Sequence, residues 1–432
     1  MTETSGTAIR GQLLWFTGAP DTPSNIHHIE DGVLLMEDPK ITACGPAKDI
    51  LPRLPKGTAV DHYPGHLILP GFIDAHVHYP QIQIMGAHGK QLLDWLNDYT
   101  FKAELAYRNP DHATLNAEFF CDELLRNGTT TAATFCTVHP TSAEALFTAA
   151  SGRHMAMIGG RVMMDRHAPE GLRDTPQQAY EQCGALIRKW HKTGRNRYAL
   201  TPRFAPSCSP EQMEVAQSLR QEYPDVYVQS HLSENCAEID WVKELYPERN
   251  GYLDVYDHYE LTGPRSLLGH GIHLTDAEWQ SLADRQTTLV HCPTSNLFLG
   301  SGLFDLARTR TENIPVALGT DVGAGTSLSL LATLGEAYKI AQLRGASLNA
   351  FEAFHMITLG AAQALNLDHE IGSFEVGKTG DVVVLDPNAT PLLHHRMKYT
   401  VTLEEMLFVL MTIGDDRAIK ATYTAGEKRH SR

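Results

Sequence analysis

Between residues 67 and 365 the chain repeats one pattern: a short apolar run able to form a strand, followed by an amphipathic stretch able to form a helix. Such alternation builds a parallel sheet from βα units, because a helical crossover returns the chain to begin the next strand in the same direction. The runs lie at 66–78, 129–135, 154–164, 198–204, 226–232, 267–274, 287–293 and 315–323. The helical stretches carry their own punctuation. The stretch 112–128 stops at Gly128, and 209–223 opens with Ser209 as N-cap and Pro210 at the first helical position. Eight repeats fit an α/β fold of the (β/α)8 barrel type, whose chemistry gathers where the strands end at their C-terminal side.

The two chain ends read differently. Residues 8–66 and 372–432 carry short alternating strands such as GVLLMED and GDVVVLDP, with turns at Pro and Gly. They are expected to pair into a small β-sandwich formed by 1–68 and 372–432, with the barrel of 69–371 inserted between them.

The formal net charge of −15 over 432 residues argues against nucleic acid or an anionic membrane as partner, since the average field would repel either. The opening MTETSGTAIRGQLLWF shows no basic region followed by an apolar stretch and a cleavage site, and no window approaches roughly 18 consecutive apolar residues, so a cytoplasmic protein is expected. Seven cysteines, odd in number and without a CxxC pair, argue against a disulfide framework or a zinc knuckle. They read as buried thiols.

Polar residues recur where the apolar runs end. The first run closes on GFIDAHVH, whose His76 and His78 are two positions apart and therefore face the same side of a strand. The fifth closes on His231, the sixth contains His270, and the eighth reaches Asp321. One histidine among 22 is more often core or surface than ligand. Five metal-type residues gathered at four strand ends of one barrel are much harder to obtain by chance. Three or four imidazoles with a carboxylate suit zinc or iron(II), and the carboxylate can also take a proton from bound water. His273 falls out of phase with His270 and His291 lies inside a run, so both read as packing or supporting residues. His62, His66, His88, His139 and His154 show no partner pattern. The fourth run ends in LTPRF, with no lysine that could bridge a second metal, which makes the expected site mononuclear.

Around these positions lie residues suited to proton transfer and to binding a flat ring. Glu234, three residues past His231, can lean over the site from its loop as a proton shuttle. Arg203 offers a fixed fork of donors for a carbonyl, carboxylate or phosphate oxygen. Gln81 can both donate and accept at the edge of a heterocycle, and Phe204 can wall or stack on a ring. A salt bridge, a surface amide and plain core are the ordinary roles of these three residues taken singly. Together they describe a pocket for a planar ring bearing a carbonyl.

The chain resembles the guanine deaminase family of the amidohydrolase superfamily, and the likeness runs nearly end to end. Superfamily features are GFIDAHVH, the strand-end His231, His270 and Asp321, and VGKTGDVVVLD. Narrower ones are HYPQ, QLLDWLNDYTF (91–101), LLRNGTTTA, VMMDR, TPRFAPSCS, SHLSEN, CPTSNLFLGSG and GTDVGAGTS. The resemblance implies one zinc ion per chain, with iron(II) the other candidate, held by His76, His78, His231 and Asp321, with His270 as a further ligand or a hydrogen-bond partner of the metal's water. It implies guanine as substrate, bound by Gln81, Arg203 and Phe204 with His231, Glu234 and Asp321 also against the base, and it implies a homodimer. The reaction would be hydrolytic deamination of guanine to xanthine and ammonia, with Glu234, Asp321 and His270 as the catalytic groups. Deamination of another aminopurine, a pterin or a triazine competes with this reading. A non-catalytic scaffold is opposed by the intact ligand set, and the H-x-E with P-C-x-x-C pattern of the unrelated zinc deaminases is absent.

Overall fold

The computed structural model describes residues 6–88 and 92–432. The first five residues of the N-terminal stretch and Gln91 of the QLLDWLNDYTF segment lie outside the described residues. The strands, in chain order, are β1 (Thr7–Phe16), β2 (Ile26–Glu37), β3 (Lys40–Pro46), β4 (Ala59–Pro70), β5 (Phe72–His78), β6 (Thr129–Phe135), β7 (Ala156–Gly160), β8 (Val162–Met163), β9 (Asn196–Pro202), β10 (Tyr227–Leu232), β11 (Ser266–His270), β12 (Thr288–His291), β13 (Val316–Leu318), β14 (Val382–Leu385), β15 (Ile419–Thr424) and β16 (Glu427–Ser431).

The parallel strands run β13-β12-β11-β10-β9-β7-β6-β5, with the short β8 paired to β9. The ends of this path meet: the Asp321 N–H donates to the His76 carbonyl at 2.8 Å, and the His78 N–H to the Val322 carbonyl at 2.7 Å. The result is a nearly closed barrel of eight strands, as the βα repeat requires. Its interior is filled by small and branched side chains, among them Ile73, Ala75, Ala133, Ile158, Ala199, Leu267, Val290 and Ala317. The helix Leu359–Ala364 and the residues just after it plug the end where the strands begin. There Tyr227 Oη donates to the Leu365 carbonyl (2.7 Å) and Thr288 Oγ1 to that of Ala364 (2.8 Å). Among the described residues, the other mouth is the open end of the barrel.

The chain ends form one hydrogen-bonded sheet of seven strands, ordered β16-β15-β14-β4-β1-β2-β3. Alternation divides its side chains between two cores. Leu67, Leu69, Val383 and Leu385 pack into the barrel's outer core, while Ile68, Val382 and Val384 join Ile9, Leu34 and Ala421 in a core of the sheet's own.

Several expected runs divide or shorten. The run 66–78 breaks at Gly71, so that β4 serves the end sheet and β5 the barrel. A side chain at Gly71 would collide with Thr130, which is why the strand can turn there only as glycine. The third run is interrupted at Arg161, whose buried guanidinium bonds the Val138 carbonyl (2.9 Å) and Asp174 (2.5 Å). The eighth keeps only Val316–Leu318 as strand. Between 386 and 418 the chain leaves the sheet for the helices Pro391–Met397 and Leu403–Ile413. Leu407, Leu410 and Met411 recur at helical spacing behind a Thr402–Glu405 capping box, and they complete the barrel's outer core.

All seven cysteines are free, five of them buried. Among the described residues, no helix is long and apolar enough to cross a membrane.

Candidate metal centre and active site

The barrel interior reaches His76 and His78 through a change of phase. Along β5 Ile73 and Ala75 face the axis, and an extra residue relative to β6 between Asp74 and Val77 then switches the inward face to His76 and His78. Such a bulge re-aims side chains at a strand end. Asp74, buried beside it, accepts from the His76 N–H (3.2 Å), the Thr320 N–H (3.1 Å) and the Thr320 hydroxyl (2.5 Å), tying β5 to the segment after β13. The neighbouring strands leave room for the first ring with glycine. A Cβ on Gly269 would lie 2.7 Å from His76 Cε1, and one on Gly319 2.7 Å from His76 Cβ.

His231 enters from β10 in the simple alternation of Tyr227, Gln229 and His231. Its Nδ1 lies 2.6 Å from the Arg203 carbonyl, which can only accept. The proton is therefore on Nδ1 and the lone pair on Nε2. Nε2 of His78 lies 3.2 Å from Nε2 of both His76 and His231, and Asp321 Oδ1 lies 3.4 Å from Nε2 of both His76 and His78. A tetrahedral ion with bonds of about 2.0–2.1 Å sets its donors about 3.3 Å apart. The four donor atoms all lie within 4.8 Å of one another, so the set fits one ion.

Charge states agree with that use. Burial pushes the His78 imidazole down to about 3, and burial with the neighbouring imidazoles holds His231 well below its usual range, so both are neutral donors. Burial works against ionising Asp321, but its hydrogen bonds to His76 and His78 outweigh it and hold the carboxyl well below the usual range.

His270 stands apart from these four. By strand register it is paired with Leu232 and would face outward, but its φ of +74° turns the ring back over the barrel mouth. Its Nδ1 pairs with Asn296 Oδ1 at 2.8 Å, while its buried Nε2 lies 3.4 Å from Glu234 Oε2 and 3.8 Å from Asp321 Oδ2. Asp321, at φ +49°, thus turns one oxygen to the four-donor set and the other to His270. Glu234 accepts the Ser301 hydroxyl at 2.9 Å, and burial followed by the charge of Asp321 pushes its carboxyl up to about 8. Burial and the charge of Asp321 thus favour its protonated form.

Gln81, Arg203, Phe204, His78, His231, Glu234, His270 and Asp321 line one cavity, with Trp95, Leu96, Leu299 and Ala324 as its apolar part. Arg203 follows β9, and its Nη1 donates to both oxygens of the buried Glu104 at 2.8 Å. Gln81 Nε2 donates to the same carboxylate at 3.2 Å. Phe204 is held edge-on by Trp241, the ring centroids 6.2 Å apart.

The amidohydrolase family model matches residues 67–428. The chain belongs to the amidohydrolase family. It is 49% identical over 429 residues to the guanine deaminase of Escherichia coli (strain K12), an alignment covering 98% of each chain. The solved structure of E. coli guanine deaminase superposes with a TM-score of 0.97, covering 99% of this chain and 100% of that one. A guanine deaminase from C. acetobutylicum, solved with guanine bound in its active site, superposes at a TM-score of 0.89 with 31% identity, covering 98% of this chain and 100% of that one.

In this amidohydrolase all the residues expected from sequence to form a site reach one mouth of the barrel. His291 is buried against Phe304, its ring 4.4 Å away, and His273 bonds the Ser301 carbonyl, so neither joins the four-donor set. Sequence reading did not single out Glu104, Phe135, Asn296 or Ser301. Phe135 stacks on His78 with centroids 4.5 Å apart and walls the inner side of the centre. Glu104 lies three residues past DWLNDYTF and Ser301 lies within LFLGSG, two segments that belong to the narrow likeness. Those segments were the available signal.

Proposed function

We infer that this amidohydrolase hydrolyses guanine to xanthine and ammonia in the cavity that joins the four-donor set to Arg203 and Gln81. The placement of paired guanidinium donors and an amide beside a histidine and carboxylate centre carries the reading. It suits a flat lactam whose exocyclic amine is held at the metal end, and the guanine deaminases that superpose on the chain add weight to it.

His76, His78, His231 and Asp321 Oδ1 would hold one zinc ion, with iron(II) the alternative that a nitrogen-rich set also accepts. When bound, such an ion lowers the pKa of a coordinated water from about 15.7 toward about 7. Asp321 Oδ2 and His270 Nε2 converge on the attacking water. Asp321 takes its proton, and His270 orients it toward C2. Glu234 donates its proton to N3 as C2 becomes tetrahedral. The proton on Asp321 passes to the amine, the C2–N bond breaks and ammonia leaves. The C2 hydroxyl then gives its proton back to Glu234, leaving the C2 carbonyl of xanthine. Arg203 binds the C6 carbonyl, Gln81 the ring edge, and Phe204 supplies apolar wall.

Ammonia release from a panel of guanine, adenine, a pterin and a triazine, with the ultraviolet change of guanine followed in parallel, tests the substrate. Guanine should be consumed and adenine barely touched. Turnover of the pterin or triazine without guanine would move the substrate assignment. A homodimer completes the reading on resemblance alone, and sedimentation of the purified protein checks the assembly.

A further inference from the structure

We propose that Glu104 is a positioning residue that fixes the hydrogen-bonding polarity of the pocket, so that a ring carbonyl beside a ring N–H is accepted and an amino group beside a bare ring nitrogen is rejected. The proposal rests on the guanine reading above.

Glu104 sits on the short helix Phe101–Leu105, completely buried. It is 23 residues from Gln81 and 99 from Arg203, yet its carboxylate bonds both of these cavity-lining side chains. A carboxylate paired with a guanidinium offers acceptors only. Gln81 must therefore turn its amide nitrogen toward Glu104, as the 3.2 Å contact records, and its Oε1 to the opposite side. There a long contact from the Gly323 N–H (3.4 Å) leaves a lone pair free. Gln81 can in principle present either end of its amide to a ligand. Glu104, helped by the long contact from the Gly323 N–H, makes it an acceptor.

The same carboxylate sorts the donors of Arg203. Nη1 is committed to both Glu104 oxygens, while Nε and Nη2 have no partner among the described residues and the side chain lines the cavity. The pocket thus offers guanidinium donors and an amide acceptor in one recognition face. The lactam edge of guanine, C6 carbonyl beside N1–H, satisfies both. The corresponding edge of adenine sets an amine against donors and a bare nitrogen against an acceptor, a mismatch at two places. In a buried site, unpaired polar groups of this kind carry most of the discrimination between such analogues.

A carboxylate that merely neutralised Arg203 would support the pocket without deciding its polarity, and the two roles are separable. Hypoxanthine carries guanine's lactam edge and adenine the opposite one, and neither has an amine at C2. Each can therefore be measured as a competitive inhibitor of guanine turnover by the metal-loaded enzyme. The native protein should favour hypoxanthine strongly. In Glu104→Gln the new amide can face Gln81 with either end, which leaves only the long Gly323 contact to hold the Gln81 orientation, and the hypoxanthine-to-adenine preference should fall about tenfold or more with metal content unchanged. Glu104→Asp should restore much of it. Should Glu104→Gln fail to fold, Gln81→Leu removes the acceptor while leaving the Glu104–Arg203 pair in place, and the same narrowing is expected. Equal weakening of both inhibitors in Glu104→Gln, or a native-like preference in Gln81→Leu, overturns the proposal. Absence of ammonia release from guanine by the native protein would instead overturn the substrate reading, whatever the ratio.

Discussion

Oδ2 of Asp321 lies 3.8 Å from Nε2 of His270, on the carboxylate oxygen that does not meet His76 and His78. In the proposed mechanism that division would separate holding an ion from handling a water, although the sequence alone places His270 among the metal-type residues. His76→Ala and His231→Ala should each lose metal and activity together. His270→Ala should keep close to one metal per chain and lose turnover. Elemental analysis decides between them, and loss of metal from His270→Ala equal to that from His231→Ala would make His270 a ligand.

Glu234→Gln should retain its metal while turnover falls about 10²–10⁴-fold, the usual scale of a general acid or base. The pH profile gives a second check. The carboxyl, pushed up to about 8 by burial and then by Asp321 in the free protein, is needed protonated, so kcat/KM should fall as pH rises through its pKa. A bound cation favours the ionised form and moves that limb to pH 8 or below. The residual activity of Glu234→Gln should lack the limb.

Gly269→Ala should injure the centre without altering a ligand. Its Cβ would meet the His76 ring at 2.7 and 2.9 Å, and both atoms are buried among packed strands that cannot give way cheaply. Overpacking of this kind costs about 1–3 kcal/mol. The variant should melt lower and bind metal more weakly, which metal-buffered titration would read. Native-like affinity would mean that the ring shifts freely and that the close fit is unimportant.

The barrel was legible because its cause is local: eight apolar runs, each followed by a helical stretch, admit few other arrangements. Metal-type residues were legible because they cluster at strand ends. Phase was not. Alternation along one uninterrupted strand could not reveal the bulge that aims His76, nor the left-handed residue that returns His270 to the mouth, since both depend on pairing with neighbouring strands. Glu104 was hidden for a similar reason, as its partners lie 23 and 99 residues away and a glutamate on a short helix looks like a solvated one. The 403–413 helix was hidden among strand-like apolar residues in a region otherwise devoted to the end sheet.

Arg203, proposed above to bind the base, also pairs with the buried Glu104, and a pair of variants can separate the two roles. Arg203→Ala should lose most guanine activity with its metal in place. It also strands Glu104 as a buried carboxylate without its cation, and removing one partner of a buried pair costs about 3–5 kcal/mol. The single variant should therefore be distinctly less stable in urea. Arg203→Met with Glu104→Leu replaces both charges by apolar groups, an exchange that is often neutral or better for stability. The double variant should recover most of the lost stability and none of the guanine turnover. If activity returned together with stability, the base would be read by other residues, and the loss in Arg203→Ala would reflect only a damaged fold.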